Sequence, residues 1–219
     1  MGLIIAGVDE AGRGPALGPM VLAVASIAKE DEEKLVEMGV KDSKLLSPAQ
    51  REAFYPQIKA LCTETLSTQI PAKDIDELRE RQSLNEIEAM RIGWLLNHLK
   101  HAPDIVFVDA PDVIQENFSR RIEKYCQSKV KLVSEHKADF NYPICGAASV
   151  IAKVERDLEI KKLSAKFGEM GSGYPHDEVT IQFIRNWLQK NNVLPDFVRR
   201  SWATNQRLVD EKHQKKLFE

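Results

Sequence analysis

The stretch from Leu3 to Ala28, LIIAGVDEAGRGPALGPMVLAVASIA, decides the fold of this chain. It holds two apolar, β-leaning runs, 3–8 and 20–28, separated by the Gly- and Pro-rich connection DEAGRGPALGP. This pattern predicts two strands that form a hairpin. The first run leads directly into two adjacent carboxylates, Asp9 and Glu10, an arrangement that is costly beside a core unless the acids bind something.

Composition limits the class of protein. The 219 residues, 43% of them hydrophobic, are enough for one large domain or one domain with an appendage. The formal net charge of -2 gives no overall basic field, so nucleic-acid binding would need a local basic patch. Three widely spaced cysteines without a CxxC pair, and no apolar run near the ~18 residues of a membrane span, predict a cytoplasmic protein.

Strand and helix patterns mix along the rest of the chain. Three more strands are predicted at 65–70, 105–108 and 130–134. The run 105–108 is almost fully apolar, as in a strand buried on both faces, and we expect it to lie centrally in the sheet. The strand, helix, strand order that follows is typical of a parallel crossover.

Helices are predicted from start signals and apolar spacing. Ser47 with Gln50, and Ser83 with Glu86, have the spacing of capping boxes. From residue 142 onward the pattern is helical. One face of this segment is expected to carry Ala147, Ile151, Val154 and Leu158. The whole pattern predicts an α/β protein with a mixed sheet and a helical C-terminal part.

Acidic residues recur where predicted strands end. Asp9 and Glu10 follow the first strand, Asp109 follows 105–108, and Asp139 lies just past 130–134. Because ligands bind at the carboxyl ends of strands in open α/β sheets, we expect the four carboxylates to share one small volume. Any one of them alone is more typical of a helix cap or a loop, but recurrence at three strand ends favours a common role.

Such a cluster predicts a metal site. Asp9 and Glu10 point to opposite faces of a strand unless the strand ends there, and Gly12 permits the turn that this requires. Like charges raise one another's pKa, so cations would stabilise the cluster. Hard oxygen ligands without Cys or His favour Mg²⁺ or Mn²⁺, and two such ions form the clamp used for in-line displacement at phosphorus.

The loop GRGPALG, residues 12–18, is a second candidate feature. It is not GxGxxG and no helix opens directly after it, so a dinucleotide-binding turn is a poor interpretation, and a plain hairpin turn is an alternative. Its backbone groups are unshielded by side chains, and it carries the cation Arg13. Such groups beside a metal site could read a ribose 2′-hydroxyl, which separates RNA from DNA.

Five stretches together closely resemble ribonuclease HII, the type 2 ribonuclease H, in its single-chain archaeal form. They are GVDEAGRGPALGPMV, KDSKLLSPAQRE, FVDAPD, HKADFNYPICGAASVIAKVERD and GSGYPHD. The resemblance implies a ribonuclease H-like fold with a five-stranded mixed sheet, flanking helices and a helical C-terminal subdomain. We therefore expect a catalytic domain at 1–166 and a helical subdomain at 167–219 that contributes to substrate binding.

The resemblance also implies the activity. It is cleavage of the RNA strand of RNA/DNA hybrids and incision 5′ to single ribonucleotides in duplex DNA. The family's four acidic metal ligands fall on Asp9, Glu10, Asp109 and Asp139, the same four that strand ends select. One of two Mg²⁺ or Mn²⁺ ions would activate a water and the other would stabilise the leaving 3′ oxygen, giving 3′-hydroxyl and 5′-phosphate ends.

Substrate contacts are implied as well. The matching positions are Gly12, Arg13 and Gly14 in the loop, Tyr174 at the ribose, and Lys44, Ser149, Lys153 and Arg156 at the backbone phosphates. An aromatic face suits a sugar or a base, while the alternative for Tyr174 is a core or loop tyrosine. The last three phosphate candidates have helical spacing, and such a polar stripe is also typical of a solvated surface.

Three further features are less specific. His176 stands where relatives commonly have serine, so local contacts are in doubt, and it is either a surface histidine or a titratable group near the junction. Residues 190–219 carry seven Lys/Arg against four Asp/Glu, which indicates phosphate attraction or ordinary solubility. Gln214 and Leu217 fit a sliding-clamp-binding peptide, but the paired aromatic residues of that peptide are absent.

Two other classes of function fit parts of the pattern. Sugar kinases also use a ribonuclease H-like sheet, but 219 residues leave little room for their second nucleotide-binding half. A non-catalytic module that binds RNA/DNA hybrids is the other alternative, although acids at the sheet edge would repel a polyanion. We expect a monomer, without membrane attachment, that acts on RNA/DNA hybrids and on duplex DNA containing ribonucleotides.

Overall fold

The computed structural model describes residues 2–40 and 46–217, with side chains as far as residue 214. Within this part, one sheet has the strand order β3-β2-β1-β4-β5. Its strands are β1 (Ile4–Ala11), β2 (Met20–Ala28), β3 (Glu64–Ile70), β4 (Ile105–Asp109) and β5 (Lys131–Glu135). The predicted five-stranded mixed sheet is confirmed.

The strand pairing follows the predicted hairpin and crossover. β1 is the central strand and pairs antiparallel with β2 over its full length. It pairs in parallel with β4 only from Ile5 to Val8, and β4 pairs in parallel with β5. The expectation that residues 105–108 lie centrally is confirmed in part, because β4 is an interior strand paired on both sides but the middle strand is β1. β4 lies beside the central strand, and Ile105 and Phe107 are only half-buried.

The helices begin near the predicted start signals. After a 3-10 turn at Lys29–Asp31, they are α1 (Glu32–Glu37), α2 (Pro48–Leu61), α3 (Ala72–Arg79), α4 (Leu84–Asn97), α5 (Gln115–Glu123), α6 (Ala138–Asn141), α7 (Pro143–Phe167), α8 (Glu178–Asn191) and α9 (Ala203–Leu217). Ser47 and Gln50 form a reciprocal capping box at α2. Among the described residues, no helix combines the length and apolar character that crossing a bilayer demands.

The second predicted capping box is confirmed only in its first half. The hydroxyl of Ser83 accepts a hydrogen bond from the backbone N–H of Glu86. The Glu86 carboxylate, however, accepts hydrogen bonds from Arg121 and Tyr125 on α5 and its C-terminal end. A charged guanidinium is a stronger partner than a backbone amide, so the carboxylate is drawn away from the cap.

The chain divides into two compact units. The first contains Met1–Ala11, Val21–Gln69 and Ser83–Glu155, and the second contains Gly12–Met20, Ile70–Gln82 and Arg156–Glu219. These units are defined by packing, whereas the predicted division at residue 166 concerns the roles of two domains. That division therefore stays a prediction.

The core of the first unit joins β1 and β2 to α7. Gly7 lies in this interface, and a Cβ on it would come within 2.4 Å of the backbone nitrogen of Cys145. Close approach of strand and helix thus requires glycine there. Ala147, Ile151 and Val154 are buried as the apolar spacing predicts, but Leu158 is 42% exposed. The first unit ends at Glu155, so Leu158 lies beyond the core that buries the others.

The second unit has a separate core. It contains Ala16 and Leu17 of the glycine-rich loop with Ile184 and Leu188 of α8 and Leu208 of α9. Leu17 also forms an isolated antiparallel bridge with Val198. The loop is therefore an integral part of this core and not a plain exposed hairpin turn.

Candidate functional site

The four predicted acids belong to the first unit and follow or flank strand ends. Asp109 is the last residue of β4, and Asp139 lies in α6, shortly after β5. Asp9 and Glu10 lie beyond Val8, where the pairing of β1 with β4 stops. On the side of β2, however, the expected strand end was wrong, because the ladder continues through both acids to Ala11.

A turn before α6 joins two of the acids. Lys137 has φ 60° and ψ 37°, a left-handed conformation that non-glycine residues adopt rarely. The next residue, Ala138, donates a hydrogen bond of 3.0 Å from its backbone N–H to Oδ1 of Asp109. Asp139 follows directly and is buried. The turn therefore holds the Asp109 side chain against the start of α6, the short helix that carries Asp139.

The Asp9 carboxylate lies in an environment that opposes its negative charge. Its Oδ1 accepts a 2.8 Å hydrogen bond from the backbone N–H of Glu10. Burial raises the pKa of Asp9 well above its ordinary value, and the charges of Glu10 and Asp109 raise it further. A hydrogen bond from Ser149 and the charge of Lys153 lower this pKa. A cation bound at this carboxylate would favour its ionised form and so lower the pKa of Asp9.

The thiol of Cys145 responds to the same negative charge. Cys145 is buried in α7, and its Sγ donates to the backbone oxygen of Phe107 at 3.2 Å. Burial raises the pKa of this thiol well above its ordinary value, and the charges of Asp9, Asp109 and Asp139 raise it further. Three carboxylates from three elements therefore act electrostatically on one buried point.

This donor set fits hard divalent cations, because carboxylate oxygens are the ligands that Mg²⁺ and Mn²⁺ prefer. In residues 2–40 and 46–214, no three His, Cys, Asp or Glu side chains stand together in positions to hold a metal ion. Backbone topology and charge bring the four acids to one region of the first unit. Their closure around ions is a proposal.

The polar stripe of α7 is not a solvated surface. Ser149 and Arg156 are buried and Lys153 is half-buried, so the solvated alternative was wrong. Ser149 and Lys153 act on Asp9 within the first unit. Arg156 belongs to the second unit. Lys44, the remaining phosphate candidate, lies outside the described residues.

Hydrogen bonds from two sides hold the glycine-rich loop in the second unit. The guanidinium of Arg199 donates to the backbone oxygens of Gly18, Arg13 and Gly12 at 3.1, 3.0 and 2.5 Å. On the other side, Ala16 donates from its N–H to the oxygen of Gly173 at 2.7 Å. Gly12 has φ +89°, which is the turn that its sequence position predicts.

Tyr174 lies beside this loop and is only half-buried. A Cβ on Gly14 would be 3.9 Å from Cε1 of the Tyr174 ring. The ring centroid is 5.0 Å from the guanidinium of Arg156, which donates to the oxygen of Ser172 at 3.0 Å. His176 is exposed, with its ring 5.5 Å from that of Tyr174. The tyrosine is therefore a positioned surface ring and not a core residue.

Sequence reasoning missed two residues that shape these features. Arg199 belongs to the basic segment 190–219 and does not stand out there. The one feature that could have indicated its burial is the neighbouring Phe197, Val198 and Trp202 in FVRRSW. Glu135, in register with Asp109, stands at a strand end like the predicted acids. It accepts a 2.7 Å hydrogen bond from Tyr142, whose pKa is raised to about 12 mainly by that bond.

Comparison with known proteins adds a family context to this geometry. A family model described as Ribonuclease HII matches residues 6–205. The Ribonuclease HII of Pyrococcus abyssi is 40% identical over 207 residues, which cover 94% of this chain and 92% of the relative.

Two solved structures are similar over nearly the whole chain. The crystal structure of the ribonuclease H2 from Pyrococcus horikoshii OT3 has a TM-score of 0.91 at 40% identity, covering 97% of this chain and 100% of that chain. The structure of the PCNA:RNase HII complex from Archaeoglobus fulgidus gives a TM-score of 0.84 at 40% identity, covering 92% and 96%. These likenesses confirm the fold that the motifs predict.

Proposed function

Because this chain belongs to the ribonuclease HII family and is a metal-dependent ribonuclease H endonuclease, we propose that it cleaves the RNA strand of RNA/DNA hybrids and incises duplex DNA 5′ to single ribonucleotides. The observation that carries the proposal is the 3.0 Å hydrogen bond from the Ala138 N–H to Asp109, which brings the backbone of Asp139 beside that carboxylate. The charges of Asp9, Asp109 and Asp139 all raise the pKa of the buried Cys145 thiol, in keeping with this placement. Carboxylates brought close together are stabilised by cations, and a polyanionic substrate is compatible with them only when cations are bound.

The proposed ligands of these cations are Asp9, Glu10, Asp109 and Asp139. A pair of Mg²⁺ or Mn²⁺ ions held by these residues would supply an activated water and charge neutralisation at the leaving 3′ oxygen. The chain itself orients the ligands and offsets part of the cost of their negative charge. Ser149 and Lys153 lower the pKa of Asp9, and the N–H of Ala138 fixes one oxygen of Asp109.

The proposed recognition of ribose depends on the second unit. The backbone groups of Gly12, Arg13 and Gly14 are the candidates for the 2′-hydroxyl, and the Tyr174 ring is the candidate for the sugar face. Lys44 and Lys153 remain proposed phosphate contacts. Ser149 and Arg156 are also proposed for the substrate, and their burial indicates that they act through Asp9 and Tyr174.

A protein partner is also proposed. The Archaeoglobus fulgidus relative was solved in a complex with PCNA. We infer that this chain also binds a sliding clamp, through the C-terminal segment that includes Gln214 and Leu217. Gln214 is exposed, and the side chain of Leu217 lies outside the described part. Co-elution of the full chain with a clamp, lost on removal of residues 214–219, would support this contact, and co-elution of both forms would contradict it.

We propose the compartment and the oligomeric state that the sequence predicts, a cytoplasmic monomer. Cys62, Cys126 and Cys145 are free thiols, which suits the reducing cytoplasm that we propose. A monomer remains the proposed state.

Cleavage of a defined duplex tests the activity. A DNA duplex with one ribonucleotide, labelled at either end, is incubated with the protein in Mg²⁺, in Mn²⁺ and in EDTA, beside an all-DNA duplex as control. We expect one cut 5′ to the ribonucleotide, 3′-hydroxyl and 5′-phosphate ends, and no cut in EDTA or in the all-DNA control. Products with 2′,3′-cyclic phosphate, or tight binding without any cleavage, would refute the proposal.

A further inference from the structure

Arg199 is a fully buried cation whose hydrogen bonds go to the glycine-rich loop. It is 0% exposed. Its three guanidinium nitrogens reach the backbone oxygens of Gly12, Arg13 and Gly18. A guanidinium carries its N–H donors on three separate nitrogens in a fixed plane, so it can satisfy three acceptors that are spread apart. Residues from the two ends of the loop are therefore held by one side chain.

The environment of Arg199 is costly for a residue that serves packing alone. Burial and the charge of nearby Arg156 lower the pKa of Arg199 to about 9, so it keeps its proton at neutral pH. Within the described residues, the acceptors of its hydrogen bonds are backbone oxygens and not carboxylates. An apolar side chain in its place would leave the backbone oxygens of Gly12, Arg13 and Gly18 without this donor, which is costly for buried acceptors. The cation therefore serves the backbone of the loop.

The orientation of the loop peptides follows from these bonds. The carbonyl and N–H of a planar trans peptide point in opposite directions, and no cis peptide occurs in the described chain. Because the carbonyls of Gly12 and Arg13 point to Arg199, the N–H groups of Arg13 and Gly14 point away from it. Gly14 is exposed and adjoins the Tyr174 ring. Two successive donors are thus directed out of the core at the proposed ribose site.

The guanidinium is itself held in place by the turn that follows it. Asp76 of α3 accepts hydrogen bonds from the backbone N–H of Arg200 at 2.7 Å and of Ser201 at 3.0 Å. The Trp202 ring lies 4.7 Å from the Arg199 guanidinium. The two Asp76 bonds fix the backbone turn that follows Arg199, and the Trp202 ring packs against its guanidinium, as a group that orients a binding loop requires.

We propose that Arg199 is a positioning residue for ribose recognition, which holds the carbonyls of Gly12 and Arg13 so that the next N–H groups meet the 2′-hydroxyl. The inference rests on the proposed function and adds a determinant of its specificity. A lysine at this position keeps the charge but cannot reach three separated carbonyls. Arg199→Lys therefore tests the effect of the guanidinium geometry apart from the effect of the charge.

The test measures preference for ribose in binding. Affinities for a duplex with one ribonucleotide and for the same all-DNA duplex are measured with Ca²⁺ in place of Mg²⁺, and gels of the recovered duplex check that the substrate stays intact. We expect Arg199→Lys to reduce the wild-type ratio of the two affinities by about tenfold, the loss of roughly one hydrogen bond to a polar ligand. Affinity for the all-DNA duplex should change less than about twofold, because the charge is kept.

A matched control separates positioning from stability. Ile122→Ala in α5, a buried residue of the first unit and not of the core cluster that contains Ala16 and Leu17, is expected to lower the melting temperature and keep the ratio. Arg199→Gln, which loses the charge and the fork, is the second variant if the lysine variant does not fold, and it should lose the ratio too. A folded Arg199 variant with the wild-type ratio, or an equal loss in Ile122→Ala, overturns the inference alone. Absence of any ribose preference in the wild type overturns the proposed function with it.

Discussion

The backbone N–H of Ala138 donates a 3.0 Å hydrogen bond to Oδ1 of Asp109, which ties the first residue of α6 to the last residue of β4. An asparagine at position 109 keeps an accepting oxygen there, so Asp109→Asn removes charge without releasing the turn. We expect cleavage to fall by at least about 100-fold, since a metal ligand contributes several kcal/mol to the transition state. Without metal, the melting temperature should stay or rise, because repulsion on Asp9 is relieved.

The same strand offers a matched control for this change. Asp104 precedes β4 at its opposite end, and its Oδ2 accepts a 2.8 Å hydrogen bond from the N–H of Ile4. Asp104→Asn likewise keeps an acceptor and removes one charge. Gel assays of the labelled ribonucleotide duplex should show wild-type cleavage for this variant. Equal losses at both ends of the strand would contradict the assignment of Asp109 as a metal ligand.

The ring of Tyr174 should matter more than its hydroxyl. The ring lies 5.0 Å from the Arg156 guanidinium and adjoins Gly14. Tyr174→Ala removes a stacking face that is worth about 1–3 kcal/mol, so cleavage at a single ribonucleotide should fall by roughly 10- to 100-fold. Tyr174→Phe keeps the face and should stay within a few-fold of the wild type. Steady-state cleavage rates for both variants decide this, and a larger loss for the phenylalanine variant would contradict it.

Gly7 should be far less tolerant of a methyl group than Gly39. A Cβ on Gly7 would meet the backbone of Ile144 and Cys145 at 2.4 Å, and this part of α7 leads to Ser149. We expect Gly7→Ala to lower the free energy of unfolding by at least about 1–3 kcal/mol. Cleavage should fall as well, because the shift of α7 moves Ser149 away from Asp9. Gly39 has φ +80° and open space, so Gly39→Ala should cost only about 1 kcal/mol. Urea unfolding measures both, and a wild-type result for Gly7→Ala would disprove the close contact.

Asp177 should stabilise the protein in a way that acid removes. Its carboxylate accepts hydrogen bonds from the N–H and hydroxyl of Ser172 and from the N–H of Val179, and these bonds, first that of the Ser172 N–H, lower its pKa to about 2. The folded pKa lies below the unfolded value of about 3.9, so the contribution is complete above that value and is lost as the pH falls toward 2.

Thermal melting of Asp177→Asn against pH tests this sign. The variant should melt a few degrees below the wild type from pH 7 to 5, and the difference should shrink between pH 4 and 3. A difference that grows on acidification would show that the carboxylate does not stabilise the folded state in its ionised form.

Local pattern was sufficient to predict the five strands and the start of α2, and to select the candidate acids. The apolar runs before Asp9 and Asp109 predicted strands because a buried strand needs continuous apolar side chains, and the capping box at Ser47 began α2 where expected. The extension of β1 through Glu10 was not predictable, since it depends on pairing with β2 and not on the acids themselves. The exposure of the Leu158 side chain was also not predictable from the sequence, because helical spacing shows which face is apolar but not where the core along that face ends.

The sequence by itself determined the α/β class and the family and selected the four candidate carboxylates, because strand periodicity and family motifs are read from neighbouring residues along the chain. Only the tertiary structure decided which groups act on which. It brought Ser149 to Asp9 and set Arg199 beneath Gly12, partners that are far apart in sequence. Burial and hydrogen bonding depend on which segments meet in space, and that meeting is what turned a basic residue near the C-terminus into the anchor of an N-terminal loop.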